Sequence, residues 1–250
     1  MKRILLITIL IVSITTLLFA AGKKETSDYV FAADCTWPPL EFVDENGDIV
    51  GFEIDLIAAI GDKSGYSMVT KNVPWDGIFA GLHNGSYDGV ASGVTVTEER
   101  KNTMDFTTPI LEVTQSIIVH KGNTEIKDEK SLYGKRVGVQ IGTTGNFAVE
   151  KVEGVVVRAY DDIGLAIEDL LNKNVEAAVA DSLIAAEFVL ANPNYADKLE
   201  IVGSLGDDIE QIAIAVKKGN SSLLKILNDT LAALEADGTM AALKKKWDIL

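Results

Sequence analysis

Arg100 closes the stretch Ser92-Gly93-Val94-Thr95-Val96-Thr97-Glu98-Glu99-Arg100, and a guanidinium presents a planar fork of donors that can hold a carboxylate at two points. Within the same stretch Gly93 allows close approach to the backbone and Thr95 offers a hydroxyl. Thr97 ahead of two glutamates has the composition of a helix N-cap. These residues fit an anion-gripping loop, and they fit equally a capped turn with Arg100 in a surface ion pair. Further along, Gly142-Thr143-Thr144-Gly145 joins two hydroxyls to the free N–H groups of a helix start, which makes either an anion cradle or an ordinary cap. Asp181 ends the apolar run Ala177-Ala178-Val179-Ala180 and Asp34 ends Val30–Ala33. A carboxylate at the end of a strand can accept from a ligand ammonium, or it can cap the next helix. Trp37 and Trp75 lie near prolines. Two flat aromatic walls suit an aliphatic, amide or guanidinium side chain, and two tryptophans also suit a core. Trp247 reads as packing.

Other chemistries lack their residues. There is no Gly-x-Ser-x-Gly, no His-Glu-x-x-His, and no lysine at Walker A spacing after the glycines. The two histidines, His83 and His120, are far apart, and Cys35 is the only cysteine, so neither a zinc site nor an internal disulfide is expected. His83 falls on a predicted helix and is expected to be structural or to face solvent. No catalytic residue, metal or cofactor is expected. A net charge of −14 argues against nucleic acid, whose phosphates need a basic face.

The elements that must position these residues alternate. Strands are predicted at 29–33, 68–73, 89–94, 115–120, 136–140, 155–158, 177–180 and 212–216. Helices are predicted at 52–63, 75–84, 143–152, 161–173, 182–191 and 223–247, the last broken at Asp237-Gly238. The helix over 161–173 spaces Ile163, Ala166, Ile167 and Leu170 for one face. Such alternation implies an α/β fold with mainly parallel sheets flanked by helices. Two sets of similar size make two lobes: 28–109 completed by 212–250, and 115–205. Two crossings, 110–114 and 206–211, form a hinge. In open α/β sheets ligands sit beyond the carboxyl ends of the strands, where the loops above fall. Residues 1–22 stand apart. Lys2 and Arg3 precede an apolar run from Ile4 to Ala21, the pattern of a signal peptide or an N-terminal anchor. Either places the rest of the chain in the periplasm or otherwise outside the cytoplasm.

Taken in order, six segments resemble a known family. They are Phe31-Ala32-Ala33-Asp34-Cys35-Thr36-Trp37-Pro38-Pro39-Leu40-Glu41-Phe42, Gly51-Phe52-Glu53-Ile54-Asp55-Leu56, Trp75-Asp76-Gly77-Ile78-Phe79-Ala80-Gly81-Leu82, Asp88 to Arg100 with Asp105-Phe106-Thr107-Thr108-Pro109, Arg136 to Thr144, and Asp181. Together they resemble the bacterial periplasmic amino-acid-binding proteins of polar amino-acid ABC transporters, of the glutamine- and lysine/arginine/ornithine/histidine-binding type. The resemblance implies the type II periplasmic binding protein fold. It implies that Arg100 clamps the ligand α-carboxylate with Thr95, Gly93 and the N–H groups near Thr143 and Thr144, in a loop that begins at Ser92. Asp181 would accept from the α-ammonium across the cleft. Trp75 would form an aromatic wall with Trp37 opposite, and Asp34 would meet the polar end of the side chain. Departures are Cys35-Thr36 with two prolines in the first cleft loop, and Gly145 where relatives carry a longer side chain. The function implied is capture of a free polar amino acid by cleft closure and delivery to the membrane permease of an ABC transporter, the protein acting as a monomer. Arginine, lysine or histidine is favoured, because Asp34 with two tryptophans suits a cation, and glutamine comes next. The alternatives on the same fold are a ligand-sensing module and an enzyme resembling cyclohexadienyl dehydratase.

Overall fold

The structure, a computed structural model, describes residues 28–249. The leader read at 1–22 lies outside them. Among the described residues no helix is long and apolar enough to cross a membrane.

The chain first lays down β1 (Tyr29–Ala33), β2 (Thr36–Trp37), β3 (Glu41–Val43), β4 (Ile49–Val50), β5 (Met68–Asn72), β6 (Gly89–Val90) and β7 (Met104–Phe106). It continues with β8 (Leu111–Val113), β9 (Gln115–His120), β10 (Arg136–Gln140), β11 (Val156–Tyr160), β12 (Ala177–Asp181), β13 (Leu199–Ser204), β14 (Glu210–Ile212) and β15 (Ala215–Lys217). Two five-stranded sheets result, one ordered β5-β1-β6-β15-β7 and the other β11-β10-β12-β9-β13. Each carries helices on its faces, so the α/β class and the two lobes stand. The pairing is mixed rather than mainly parallel. β1 runs parallel to β5 and β6, and β10 to β11 and β12. β15 runs antiparallel to β6 and β7, and β9 to β12 and β13. The cause is the crossings. A parallel neighbour needs a long crossover connection, whereas β9 and β15 arrive almost directly from β8 and β14. Those two strands pair with each other, Glu210 opposite Val113 and Ile212 opposite Leu111, and this ribbon joins the lobes.

Local sequence explains the elements that shape the crevice. The helix Phe52–Ser64 buries Phe52, Leu56, Ile57 and Ile60. It starts after Gly51, whose φ is +139° and where a Cβ would lie 2.2 Å from the carbonyl oxygen of Leu40, so only glycine fits. It stops at Gly65, a left-handed residue whose N–H caps Gly61 O. The helix Ile163–Leu171 buries Ile163, Ala166, Ile167 and Leu170, with Asp162 capping Leu165 N, as its spacing predicts. The helix expected from 75 spans only Ile78–Asn84. The strand expected over 89–94 pairs only at Gly89–Val90, because Gly93 takes a φ of +54° and turns the chain out of the sheet. The terminal helices, Ser221–Ala236 and Thr239–Lys246, break at Asp237-Gly238 and pack on the helix Phe52–Ser64. Trp247 packs edge-on against Phe42 and donates to Asp55 at 2.7 Å. It is a packing residue, as read.

Candidate functional site

The carboxyl ends of β1, β6, β10 and β12 deliver Asp34, Ser92-Gly93, Gly142-Thr143-Thr144 and Asp181 to the gap between the lobes. One crevice is lined by Trp37, Trp75, Gly93, Thr95, Arg100, Thr143, Thr144 and Asp181. Asp34 and Ser92, the other two predicted residues, are buried and do not line it.

The alternative readings of these residues now separate. Thr97 does cap its short helix, accepting from Arg100 N at 3.1 Å. Arg100, however, is not in a surface ion pair. It is 8% exposed and forms no ion pair among the described residues. Its Nη1 donates to Thr95 O at 3.0 Å and its Nη2 to Gly142 O of the other lobe at 3.4 Å. Its guanidinium carbon lies 5.5 Å from the Trp75 ring centre and 5.0 Å from that of Phe79. Trp75 and Phe79 meet edge to face, 5.0 Å apart. Carbonyl dipoles and aromatic faces hold the cation in place without neutralising it, and burial lowers its pKa.

Asp181 occupies the N-cap position of the helix Ser182–Ala186 but makes no capping bond. Its carboxylate turns to the crevice and accepts from Gln115 Nε2 at 2.7 Å. Burial pushes it up to about 7. The hydrogen bond from Gln115 and the charge of Arg100 oppose that rise, and Glu210 adds to it. Thr143 is a cap as well as a lining residue, accepting from Asn146 N at 3.1 Å and donating to Gln140 O at 2.8 Å. What it leaves toward the crevice is the backbone of the helix start. Thr144 donates to Glu210 at 2.7 Å and lies 3.3 Å, oxygen to oxygen, from Thr95 of the other lobe.

Asp34 accepts from Gln140 Nε2 at 2.8 Å and from Thr36 Oγ1 at 3.2 Å, and burial raises its pKa. Trp37 Nε1 donates to the same Gln140 side chain. Ser92 faces away from the crevice in function: its hydroxyl accepts from Asp34 N at 2.9 Å and donates to Glu41 at 3.0 Å. His83 is exposed at the mouth of the gap, with Phe147, Lys151 and Glu210. Sequence reasoning missed Gln115, Gln140, Glu210 and Phe79. Only Gln140, next to the glycine-threonine cluster, had a local signal. Among the described residues no cluster could hold a metal ion.

Two α/β bodies on a two-stranded hinge, with polar groups gathered at the strand ends between them, define a cleft-closing solute-binding protein. The chain matches the bacterial extracellular solute-binding proteins, family 3, over residues 29–249, and it belongs to that family. It is 34% identical over 213 residues to a probable histidine-binding protein of Neisseria gonorrhoeae, covering 84% of this chain and 79% of that one. It is 34% identical over 226 residues to the L-cystine-binding protein TcyJ of Escherichia coli K12, covering 90% and 84%. Among solved structures, an ancestral arginine-binding protein bound to arginine is 41% identical with a TM-score of 0.83, covering 88% of this chain and 97% of that one.

Proposed function

We propose that this chain captures a free polar L-amino acid, most favourably a basic one, outside the cytoplasm and delivers it to the membrane permease of an ABC transporter. Residues 28–109 with 212–250 form one lobe, 115–205 the other, and 110–114 with 206–211 the hinge about which they close. The chain works by binding and release, not turnover. The observation that carries this reading is the buried guanidinium of Arg100, which has no ion pair among the described residues and lines the same crevice as the buried carboxylate of Asp181. A buried charge without a partner is costly. A zwitterion supplies both partners at once, its carboxylate to Arg100 and its ammonium to Asp181. Asp34 and the two tryptophans then face its side chain, which favours a cation. The names of the histidine- and arginine-binding relatives point the same way.

Export follows from the leader at 1–22, and the mass of the mature protein from a membrane-free extract tests its cleavage. Calorimetry against the twenty amino acids tests the ligand. Arginine, lysine or histidine should bind most tightly, with glutamine the rival. Binding of acidic amino acids alone would overturn the role given to Asp34.

A further inference from the structure

Two glutamates lie under the loop that carries Ser92 and Gly93. Glu41, at the start of β3, and Glu53, in the first turn of the helix Phe52–Ser64, are both 0% exposed. Glu41 Oε1 accepts from Ser92 Oγ at 3.0 Å, and Glu53 Oε1 accepts from Gly93 N at 2.9 Å. Adjacent residues of one loop are thus each held by one carboxyl group. The segments that supply those groups are themselves in contact. Glu53 N donates to Leu40 O at 2.9 Å, and Gly51 lies so close to the backbone of Leu40 and Glu41 that no side chain fits there.

The other oxygen of each carboxyl, Glu41 Oε2 and Glu53 Oε2, is buried with no partner. Neither glutamate forms an ion pair among the described residues. The groups whose charges act on Glu41 are Glu53, Asp34 and Asp181, and Glu41 in turn acts on the Cys35 thiol; none of them is a cation. Two buried anions in this setting would cost several kcal/mol each. A single retained proton removes one of the two uncompensated charges.

We propose that the buried pair Glu41 and Glu53 retains one proton and that the protonated pair is a positioning element for the Ser92–Gly93 loop, and so for the amino-acid site if the function proposed above holds. Burial favours this state. It lifts Glu41 well above the ordinary carboxylate range, helped by Glu53, and lifts Glu53 to about 7. A carboxyl whose folded pKa is raised stabilises the fold fully below its unfolded pKa, and that contribution is lost as pH rises through the folded value. The pair therefore makes the fold less stable above neutrality. There its second ionisation places two like charges behind the loop, and ligand affinity falls by up to about tenfold per pH unit, the limit for one proton.

Glu53→Gln and Glu41→Gln test this. Each amide keeps the shape and supplies a permanent N–H in place of the retained proton. The melting temperature of the ligand-free wild type should fall from mildly acidic to mildly alkaline pH, and each variant should flatten that fall while still binding arginine. In wild type labelled with carbon-13 at the glutamate carboxyls, one buried carboxyl should stay protonated near neutral pH. Two ionised carboxyls there, or variant melting profiles parallel to wild type, would overturn the proposal. If a variant does not fold, the carboxyl titration of wild type decides by itself. If arginine binds at no pH, the amino-acid reading fails, while the ligand-free melting profile and the titration still decide the pair.

Discussion

The two walls of the crevice are built differently. The first lobe's wall is braced mainly from within: Arg100 rests on Thr95 O, Trp75 and Phe79, with one long bond across to Gly142 O, and Ser92 and Gly93 rest on Glu41 and Glu53. Much of the second lobe's wall is braced from across the gap or from the hinge. Gln140 bonds to Asp34 and Trp37 of the first lobe, and Thr144 and Gln115 bond to Glu210 on hinge strand β14. A wall braced from within keeps its geometry when the lobes part, and a wall braced from across does not. The first lobe is thus suited to meet the ligand, and the second to lock over it. That division fits a population shift between open and closed forms, with the ligand binding the closed form better.

The sharpest way to break this contrast is Arg100→Ala. It removes the cation from the preformed wall, so both first contact and closure suffer. Arginine affinity should fall by about 2–5 kcal/mol, read by calorimetry. Near-normal affinity would take Arg100 out of the site and end the comparison.

Asp181→Asn strikes the locking wall and should cost less, about 1.5–3 kcal/mol, the range for a hydrogen bond to a charged group. Small-angle scattering with arginine present should show the variant less compact than wild type. The pH dependence is a second readout. The ammonium needs an ionised Asp181, whose folded value is about 7, so this group should make wild-type affinity rise as pH climbs toward 7, below the range in which the Glu41–Glu53 pair makes it fall. The asparagine variant should lose that limb. The sign for the ligand-free fold is opposite: a raised carboxyl favours the fold at low pH and gives up that contribution as pH passes 7.

Gln140→Leu removes the bridge from the second lobe to Asp34 and Trp37 and leaves both without that partner. We expect a loss of about 1 kcal/mol in affinity, carried by faster dissociation, since the bridge forms only when the lobes meet. A slower association rate at unchanged dissociation would place Gln140 in the encounter and blur the two walls.

The sequence showed one kind of information clearly and hid another. The helix Ile163–Leu171 could be read face by face, because burial follows the 3.6-residue period. Arg100, Thr143 and Asp181 could be found because each stands at a strand end or helix start, where local composition marks a site. Gln115 and Glu210 gave no such mark, and the one beside Gln140 did not reveal its role, because the bonds that define them, Gln115 to Asp181, Gln140 to Asp34 and Thr95 to Glu210, each span 66 or more residues. No periodicity encodes such a pairing. The antiparallel strands were missed for a related reason. Direction is set by how the hinge delivers β9 and β15, and the apolar runs themselves carry no direction. Ser92 opens the loop that the resemblance places at the ligand, and only the buried Glu41 shows where its hydroxyl is committed.

The smallest effect separates a residue that builds the second wall from one that touches the ligand. Thr143 Oγ1 caps the helix Thr144–Glu150 and ties it to Gln140 O. Thr143→Ala should therefore cost about 1 kcal/mol of stability, or roughly 2–4 °C in melting temperature for a chain of this size, because the first turn loses an acceptor for Asn146 N. Backbone N–H groups survive the substitution, so arginine affinity should change by less than about 0.5 kcal/mol. A saturating amount of arginine should then raise the melting temperature of variant and wild type by the same amount, since ligand stabilisation depends on affinity and concentration alone. If affinity fell as far as in Asp181→Asn, the hydroxyl itself would be a ligand contact, and the second wall would be less dependent on closure than its cross-lobe bonds imply.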